Sequence, residues 1–253
     1  MIPEILVTRP AGQAPDLCAA LHARGIRAVA VPTVAIDSAS AASEVDALLT
    51  GSLRRADWLV VTSANGAAAL VERIRATAWE MPAHLKVAAV GPATARALEA
   101  GGIRPAYVPD EYRTVAIAEG LGDVAGRRVV LARADAATPA LREVLATRGA
   151  EVLDVVAYRT VEGPPTNRDA LRVALHRDLS GIAFTSSSTV RGLLALTSPV
   201  DRQRAGAIPA FCIGPVTAET ARRFGFQVEV VADAYTADGL AEGIARHVQE
   251  GDR

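Results

Sequence analysis

The chain repeats itself. Val7-Thr8-Arg9 is echoed by Leu131-Ala132-Arg133, Pro15 by Pro139, Leu21 by Leu145 and Arg24-Gly25 by Arg148-Gly149, each 124 positions later. Further on the offset is 123. Thr62-Ser63-Ala64-Asn65 meets Thr185-Ser186-Ser187-Ser188, Val90-Gly91-Pro92-Ala93-Thr94-Ala95 meets Ile213-Gly214-Pro215-Val216-Thr217-Ala218, and Tyr112 meets Tyr235. Near the ends, Ile117-Ala118-Glu119-Gly120-Leu121 matches Leu240-Ala241-Glu242-Gly243-Ile244. One register held over so many blocks marks a duplication. The length of 253 residues agrees with two domains at about 150 residues each, against one long barrel.

Within each copy, short β-branched runs alternate with alanine-rich stretches, the pattern of parallel βα units with helices on both faces of a sheet. Strands are expected over 5–8, 27–31, 58–62, 87–90 and 105–108 in the first copy, and over 129–132, 151–155, 182–185, 211–213 and 228–231 in the second. Helices over 13–24 and 139–148 run up to Gly25 and Gly149, residues suited to ending a helix. Two extended stretches break this rhythm at equivalent points, Val31 to Ile36 and Val155 to Thr160. Turn residues follow both, Asp37-Ser38 and Glu162-Gly163-Pro164-Pro165, so both read as crossings between domains that together form a hinge.

Ligands of open parallel sheets bind beyond the carboxyl ends of the strands, where helices begin. Four such junctions are rich in small and hydroxyl residues: Thr62-Ser63-Ala64-Asn65-Gly66, Gly91-Pro92-Ala93-Thr94, Thr185-Ser186-Ser187-Ser188-Thr189 and Gly214-Pro215-Val216-Thr217. Exposed N–H groups and the helix dipole favour anions there. Any one loop taken alone is better read as ordinary helix capping, and it is the fourfold recurrence that points to a ligand with several carboxylates or phosphates. Arg9 and Arg133 follow the first strand of each copy, and each suits either a ligand carboxylate or a structural ion pair. Tyr158 sits at a crossing, where its phenol could donate to a cleft or its ring could pack between domains.

Several chemistries are disfavoured. The net charge of -1 argues against a nucleic-acid binder that neutralises phosphates broadly. Lys86 is the only lysine, which argues against Schiff-base and P-loop chemistry; no GxGxxG follows a strand, which argues against a dinucleotide enzyme. Cys18 and Cys212 stand far apart and read as small packing residues, and the four histidines share no ligand spacing, so no metal or cofactor is expected. With no apolar run near the roughly 18 residues of a membrane span and no charged leader, the expectation is a cytoplasmic protein off the membrane.

The ordered set Val7-Thr8-Arg9-Pro10, Thr62 to Gly66, Ala89 to Ala95, Ala157-Tyr158-Arg159-Thr160, Phe184 to Val190 and Cys212 to Ala218 resembles the uroporphyrinogen-III synthase family over nearly the whole chain. The resemblance implies an α/β fold of two similar domains, each a parallel sheet flanked by helices, joined by a two-stranded ladder that serves as a flexible hinge. It assigns 1–34 and 162–253 to a discontinuous first domain and 37–157 to the second, with crossings near 32–37 and 156–164. Periodicity alone would suggest contiguous halves. The implied activity is cofactor-independent: hydroxymethylbilane, a linear tetrapyrrole carrying acetates and propionates, is closed with inversion of ring D to uroporphyrinogen III and water. Carried over by position, Tyr158 is the implied catalytic group, with Thr8, Arg9, Thr62, Ser63, Ala64, Gly91, Thr94, Ser186, Ser187, Gly214 and Thr217 as substrate-binding positions and no metal. A transient contact with hydroxymethylbilane synthase would suit so labile an intermediate. The rival reading is a noncatalytic hinged binding or regulatory protein for an anionic metabolite on the same fold, which the duplication and the Ser/Thr loops fit equally well.

Overall fold

A computed structural model describes residues 2–109 and 114–251; Tyr112, the sequence match of Tyr235, lies outside them. The strands are β1 (Glu4–Val7), β2 (Arg27–Ala30), β3 (Val34–Asp37), β4 (Trp58–Val61), β5 (Lys86–Ala89), β6 (Arg128–Ala134), β7 (Glu151–Glu162), β8 (Gly181–Phe184), β9 (Ala210–Cys212) and β10 (Val228–Val231). The α-helices are α1 (Ala14–His22), α2 (Ala42–Thr50), α3 (Ala64–Thr77), α4 (Pro92–Glu99), α5 (Thr114–Gly120), α6 (Ala140–Thr147), α7 (Arg168–Leu175), α8 (Ser187–Leu196), α9 (Pro199–Gly206), α10 (Pro215–Arg223) and α11 (Ala237–Gly251). The chain divides into two compact units, Met1–Ala35 with Val161–Arg253, and Ile36–Thr160.

The first unit holds a five-stranded sheet in the order β10-β9-β8-β1-β2, every neighbouring pair parallel. Successive strand residues point to opposite faces. Leu6, Ile182 and Phe184 pack with α7, α8 and α10 on one side, while Ile5, Val7, Ala183 and Phe211 pack with α1 and α11 on the other. A sheet covered on both faces needs continuous apolar strands, and β1 and β8 are buried at every position.

The second unit has the order β3-β7-β6-β4-β5, with β7, β6, β4 and β5 mutually parallel. Leu59, Val61 and Val130 face α2, α3 and α4, and Val60, Val129 and Leu131 face α5 and α6. The expected strand over 105–108 is reduced to a single bridge from Tyr107 to Ala88 beside β5. Pro105 and Pro109 flank it and lack the N–H groups that a ladder requires. The two crossing stretches become β3 and the second half of the 12-residue β7, which are neighbours in this sheet.

Matched through the duplication, the two sheets share one order: β2-β1-β8-β9-β10 corresponds to β7-β6-β4-β5-Tyr107. Each sheet therefore takes its first two strands from one copy and the rest from the other. The helix ends obey the same repeat, since Gly25 after α1 and Gly149 after α6 both have positive φ, +75° and +82°, a conformation that costs glycine little.

Both cysteines lie as the sequence suggested, Cys18 half-buried in α1 and Cys212 buried on β9. Burial pushes the Cys212 thiol up to about 12, leaving essentially no thiolate at neutral pH. Native protein treated with a thiol-exchange reagent at pH 7.5 should label Cys212 only after denaturant is added. Rapid labelling of Cys212 in the folded chain would contradict this packing. Among the described residues, no helix is long and apolar enough to cross a membrane.

Candidate functional site

The four hydroxyl-rich junctions all fall at carboxyl ends of strands, but they are built in two ways. Ser63 and Ser186 cap α3 and α8: Ser63 Oγ accepts from Gly66 N at 3.0 Å, and Ser186 Oγ accepts from Thr189 N at 3.2 Å in a reciprocal capping box. Capping is therefore a true account of these two serines. Gly91 and Gly214 precede α4 and α10 and offer no side-chain cap, and a proline follows each. The first-turn N–H groups of Ala93, Thr94, Val216 and Thr217 thus face the positive end of a helix dipole without a side-chain cap from the preceding residue, an arrangement suited to carboxylate oxygens. Thr94 and Thr217 are themselves nearly buried, whereas Thr62, Ala64 and Ser187 are half-exposed. Ser187 Oγ lies 2.7 Å from Thr220 Oγ1, which links α8 to α10.

Tyr158 meets Ser63 within the second unit. The ring belongs to that unit's own core, with only 7% of the residue exposed, so the expectation of packing between domains gives way to packing inside one. Gly66 makes room for it, since a Cβ there would sit 3.6 Å from the ring and 3.3 Å from Ser63 Oγ. Ser63 Oγ donates to Tyr158 Oη at 3.1 Å. The phenol acts as acceptor in that contact and keeps its own O–H to donate. In the residue string Gly66 is legible only as part of a loop; its place beside Tyr158 depends on how β7 lies beside α3.

Thr8 follows a different course from the one expected. It is fully buried, its hydroxyl donates to Ala183 O at 2.7 Å, and its carbonyl accepts from Thr33 Oγ1 at 3.2 Å. It fastens β1 to β8 and presents no side-chain atom to solvent.

The two matched arginines part company. Arg133 is nearly buried and forms a bidentate pair with Asp154, Nε to Oδ1 at 2.7 Å and Nη2 to Oδ2 at 2.6 Å, while Nη1 donates to Thr138 O at 2.7 Å. Arg9 reaches Gln13 Oε1 through Nη2 at 3.4 Å, and its Nε and Nη1 are buried without any partner. Burial pushes the Arg9 guanidinium below its ordinary pKa, with Asp16 and Cys18 drawing it back up.

A cavity of about 690 Å³ lies elsewhere in the second unit, at the amino-terminal ends of β6 and β7 beside Arg54, Arg55 and Arg128. It touches none of the residues above. Among the described residues, no three His, Cys, Asp or Glu side chains group so as to hold a metal ion.

The fold and these junctions define a duplicated α/β protein with anion-suited helix starts at the carboxyl edges of both sheets. A family model for uroporphyrinogen-III synthase HemD matches residues 16–242. The chain is 32% identical to a uroporphyrinogen-III synthase of Synechococcus elongatus, over 97% of this chain and 96% of that one. It shares the fold of a mutant uroporphyrinogen III synthase of Thermus thermophilus, with a TM-score of 0.65 at 23% identity over 98% and 99% of the two chains. The same holds for the enzyme of Helicobacter pylori, with a TM-score of 0.63 at 16% identity over 98% and 100%. The chain belongs to the uroporphyrinogen-III synthase family of cyclising lyases in tetrapyrrole biosynthesis.

Proposed function

We propose that this chain converts hydroxymethylbilane to uroporphyrinogen III by closing the ring with inversion of ring D, and that Tyr158 takes part in the chemical step. The substrate brings most of the reactivity. Its terminal hydroxymethyl group loses hydroxide, which leaves as water once protonated, and the pyrrole nitrogen feeds electrons into the azafulvene that forms. An electron-rich carbon of ring D then attacks. Attack at the substituted carbon gives a spiro intermediate. The bond from that carbon to the bridge toward ring C then breaks, and the freed bridge carbon bonds to the other, free carbon of ring D, which loses its proton and leaves the ring inverted. Direct attack at the free carbon with loss of its proton gives isomer I. The protein has to hold the carboxylates and choose the carbon, so orientation carries most of the work.

The observation that supports this reading best is the bond from Ser63 to Tyr158, which leaves the phenolic proton available to a departing hydroxyl. The glycine-led starts of α4 and α10, with Thr94 and Thr217, supply N–H groups for acetate and propionate oxygens. Thr62 and Ala64 in the second unit, and Ser187 in the first, border the serine-capped starts as half-exposed residues able to offer backbone or hydroxyl groups to carboxylates.

The test supplies fresh hydroxymethylbilane, made in place by its synthase, then oxidises the products and separates the type III and type I isomers. A protein-dependent excess of type III is expected. Type I alone, from folded protein beside a working control, would sink the proposal and leave a binding or regulatory protein. In the same assay Tyr158→Phe should lower kcat/KM about tenfold or more without abolishing turnover, because the ring still packs and only the proton is lost. An unchanged kcat/KM would remove Tyr158 from the chemistry.

A further inference from the structure

The duplication allows the amino-terminal edges of the two sheets to be compared residue by residue. In the first unit Glu4 on β1 lies opposite Arg27 on β2; in the second the matched residues are Arg128 on β6 and Glu151 on β7, so the same ion pair is made with its signs exchanged. A third residue, arginine in both copies, precedes the next strand: Arg177 ahead of β8 and Arg54 ahead of β4, 123 positions apart. Arg177 is satisfied by Glu4, Nε to Oε2 at 2.6 Å and Nη2 to Oε1 at 2.7 Å. At the position of Glu4 the second unit has Arg128 instead, whose Nε donates to Glu151 Oε2 at 2.8 Å. Arg54 is thereby left over. Among the described residues it has no hydrogen-bond or ion-pair partner, and neither has Arg55, which stands where the first copy has Asp178.

Both arginines are exposed and line the cavity of about 690 Å³ at this edge, together with Arg128, Glu151, Val130 and Leu153. Val130 and Leu153 are register partners on neighbouring strands, so their side chains share one face. Val130 is buried, but Leu153 keeps 42% of its surface exposed. Its match in the first unit, Val29, packs against that unit's core. Helix α2 ends at Thr50 on the cavity wall, and Leu153 lies beyond its cover. The result is an apolar floor under a rim of three arginines and one glutamate. Its volume falls among those of small-molecule sites, about 300–1,000 Å³. An apolar floor favours a flat apolar body, and planar guanidinium forks favour acid groups.

We propose that this cavity is a second ligand site, which takes a small molecule with a flat apolar body and an acid group, the acid held by Arg54 and Arg55 and the body laid over Val130 and Leu153. The site belongs to the second unit alone, because in the first the matching arginine is already neutralised by Glu4. It is separate from the junctions at Ser63 and Gly91. Those lie at the carboxyl ends of β4 and β5, whereas the cavity lies at the amino-terminal ends of β6 and β7, and parallel strands put these ends on opposite edges of one sheet. An occupant here leaves the helix starts at the other edge free, so the proposal stands or falls independently of the reaction above.

Two dyes of nearly one shape test this by fluorescence titration of the full chain: 8-anilinonaphthalene-1-sulfonate, which carries an acid, and N-phenyl-1-naphthylamine, which lacks it. The sulfonate should bind saturably at one site. Arg54→Ala combined with Arg55→Ala should weaken it about tenfold or more, the loss of charge-assisted bonds, and change the neutral dye less than twofold. Leu153→Asp, which sets a carboxylate beside the arginines and removes the floor, should weaken both dyes. Arg142→Ala, at an exposed arginine on α6, should leave both unchanged. The paired arginine substitutions should also keep kcat/KM in the coupled assay. Circular dichroism checks each fold, and if the arginine double variant does not fold, Leu153→Asp decides alone. The proposal is overturned if the sulfonate does not saturate, if it binds a folded cavity variant as tightly as the unaltered chain, or if kcat/KM falls in step with dye binding, which would put the dye at the other edge.

Discussion

Asp154→Ala is expected to destabilise the second unit by about 3 kcal/mol, at the low end for breaking a buried ion pair because the Asp154 side chain keeps 28% of its exposure. The loss comes from what remains behind. Arg133 retains only its bond to Thr138 O, and its Nε and Nη2 are left as buried donors without acceptors. The chain offers a local probe, since its two tryptophans, Trp58 and Trp79, both lie in the second unit. Tryptophan fluorescence in a urea titration should shift its midpoint downward. An unmoved fluorescence transition would mean that the pair contributes nothing to the core.

Gly192→Ala should produce a loss of similar size in the other unit. An added Cβ would lie 2.0 Å from Thr33 O and 3.2 Å from Gly163 N, and these are backbone atoms with no rotamer to turn aside. Helix α8 must then withdraw from a knot of bonds, in which Thr33 Oγ1 donates to Thr189 O at 2.8 Å and Gly163 N donates to Thr33 O at 2.9 Å. Forced overpacking of this kind costs about 3 kcal/mol at its upper range. Circular dichroism should report an early transition with little change in tryptophan fluorescence, the reverse of the Asp154 variant. Gly12→Ala is the control: a Cβ there meets nothing within 4 Å, so both signals should stay in place.

Much of this architecture was legible in the sequence because burial leaves a strong trace. Strands covered on both faces are apolar along their covered length, and the runs over 5–7, 58–61 and 181–184 are recognisable for that reason. The exchange of strands between the copies leaves no such trace. Similar repeats present similar edges, so β1 could satisfy partners from either copy, and only the resemblance to a family pointed to the discontinuous unit. The short run over 105–108 looked like a strand by composition, but two prolines decide against it.

The candidate site was legible by position more than by role. The serine junctions were visible, but a residue string does not say that Ser63 both caps α3 and donates to a tyrosine 95 positions away. Thr8 looked available because it follows a strand, yet a carbonyl on β8 claims its hydroxyl. The contrast between Arg9 and Arg133 was written in the sequence as alanine against aspartate at 30 and 154. It became readable only once the strand register set those residues beside the arginines.

The shared strand order also bears on ancestry. A chain one copy long would hold two strands of one sheet and the remainder of another, and could complete neither alone. Two such chains could complete both by trading segments, a common route to a homodimer. The present polypeptide has the connectivity of such a pair joined end to end. A symmetric homodimer must accept every substitution twice, whereas a fused one can accept it once. Tyrosine against valine at 158 and 34, and aspartate against alanine at 154 and 30, are changes that only the fused chain could make on one side.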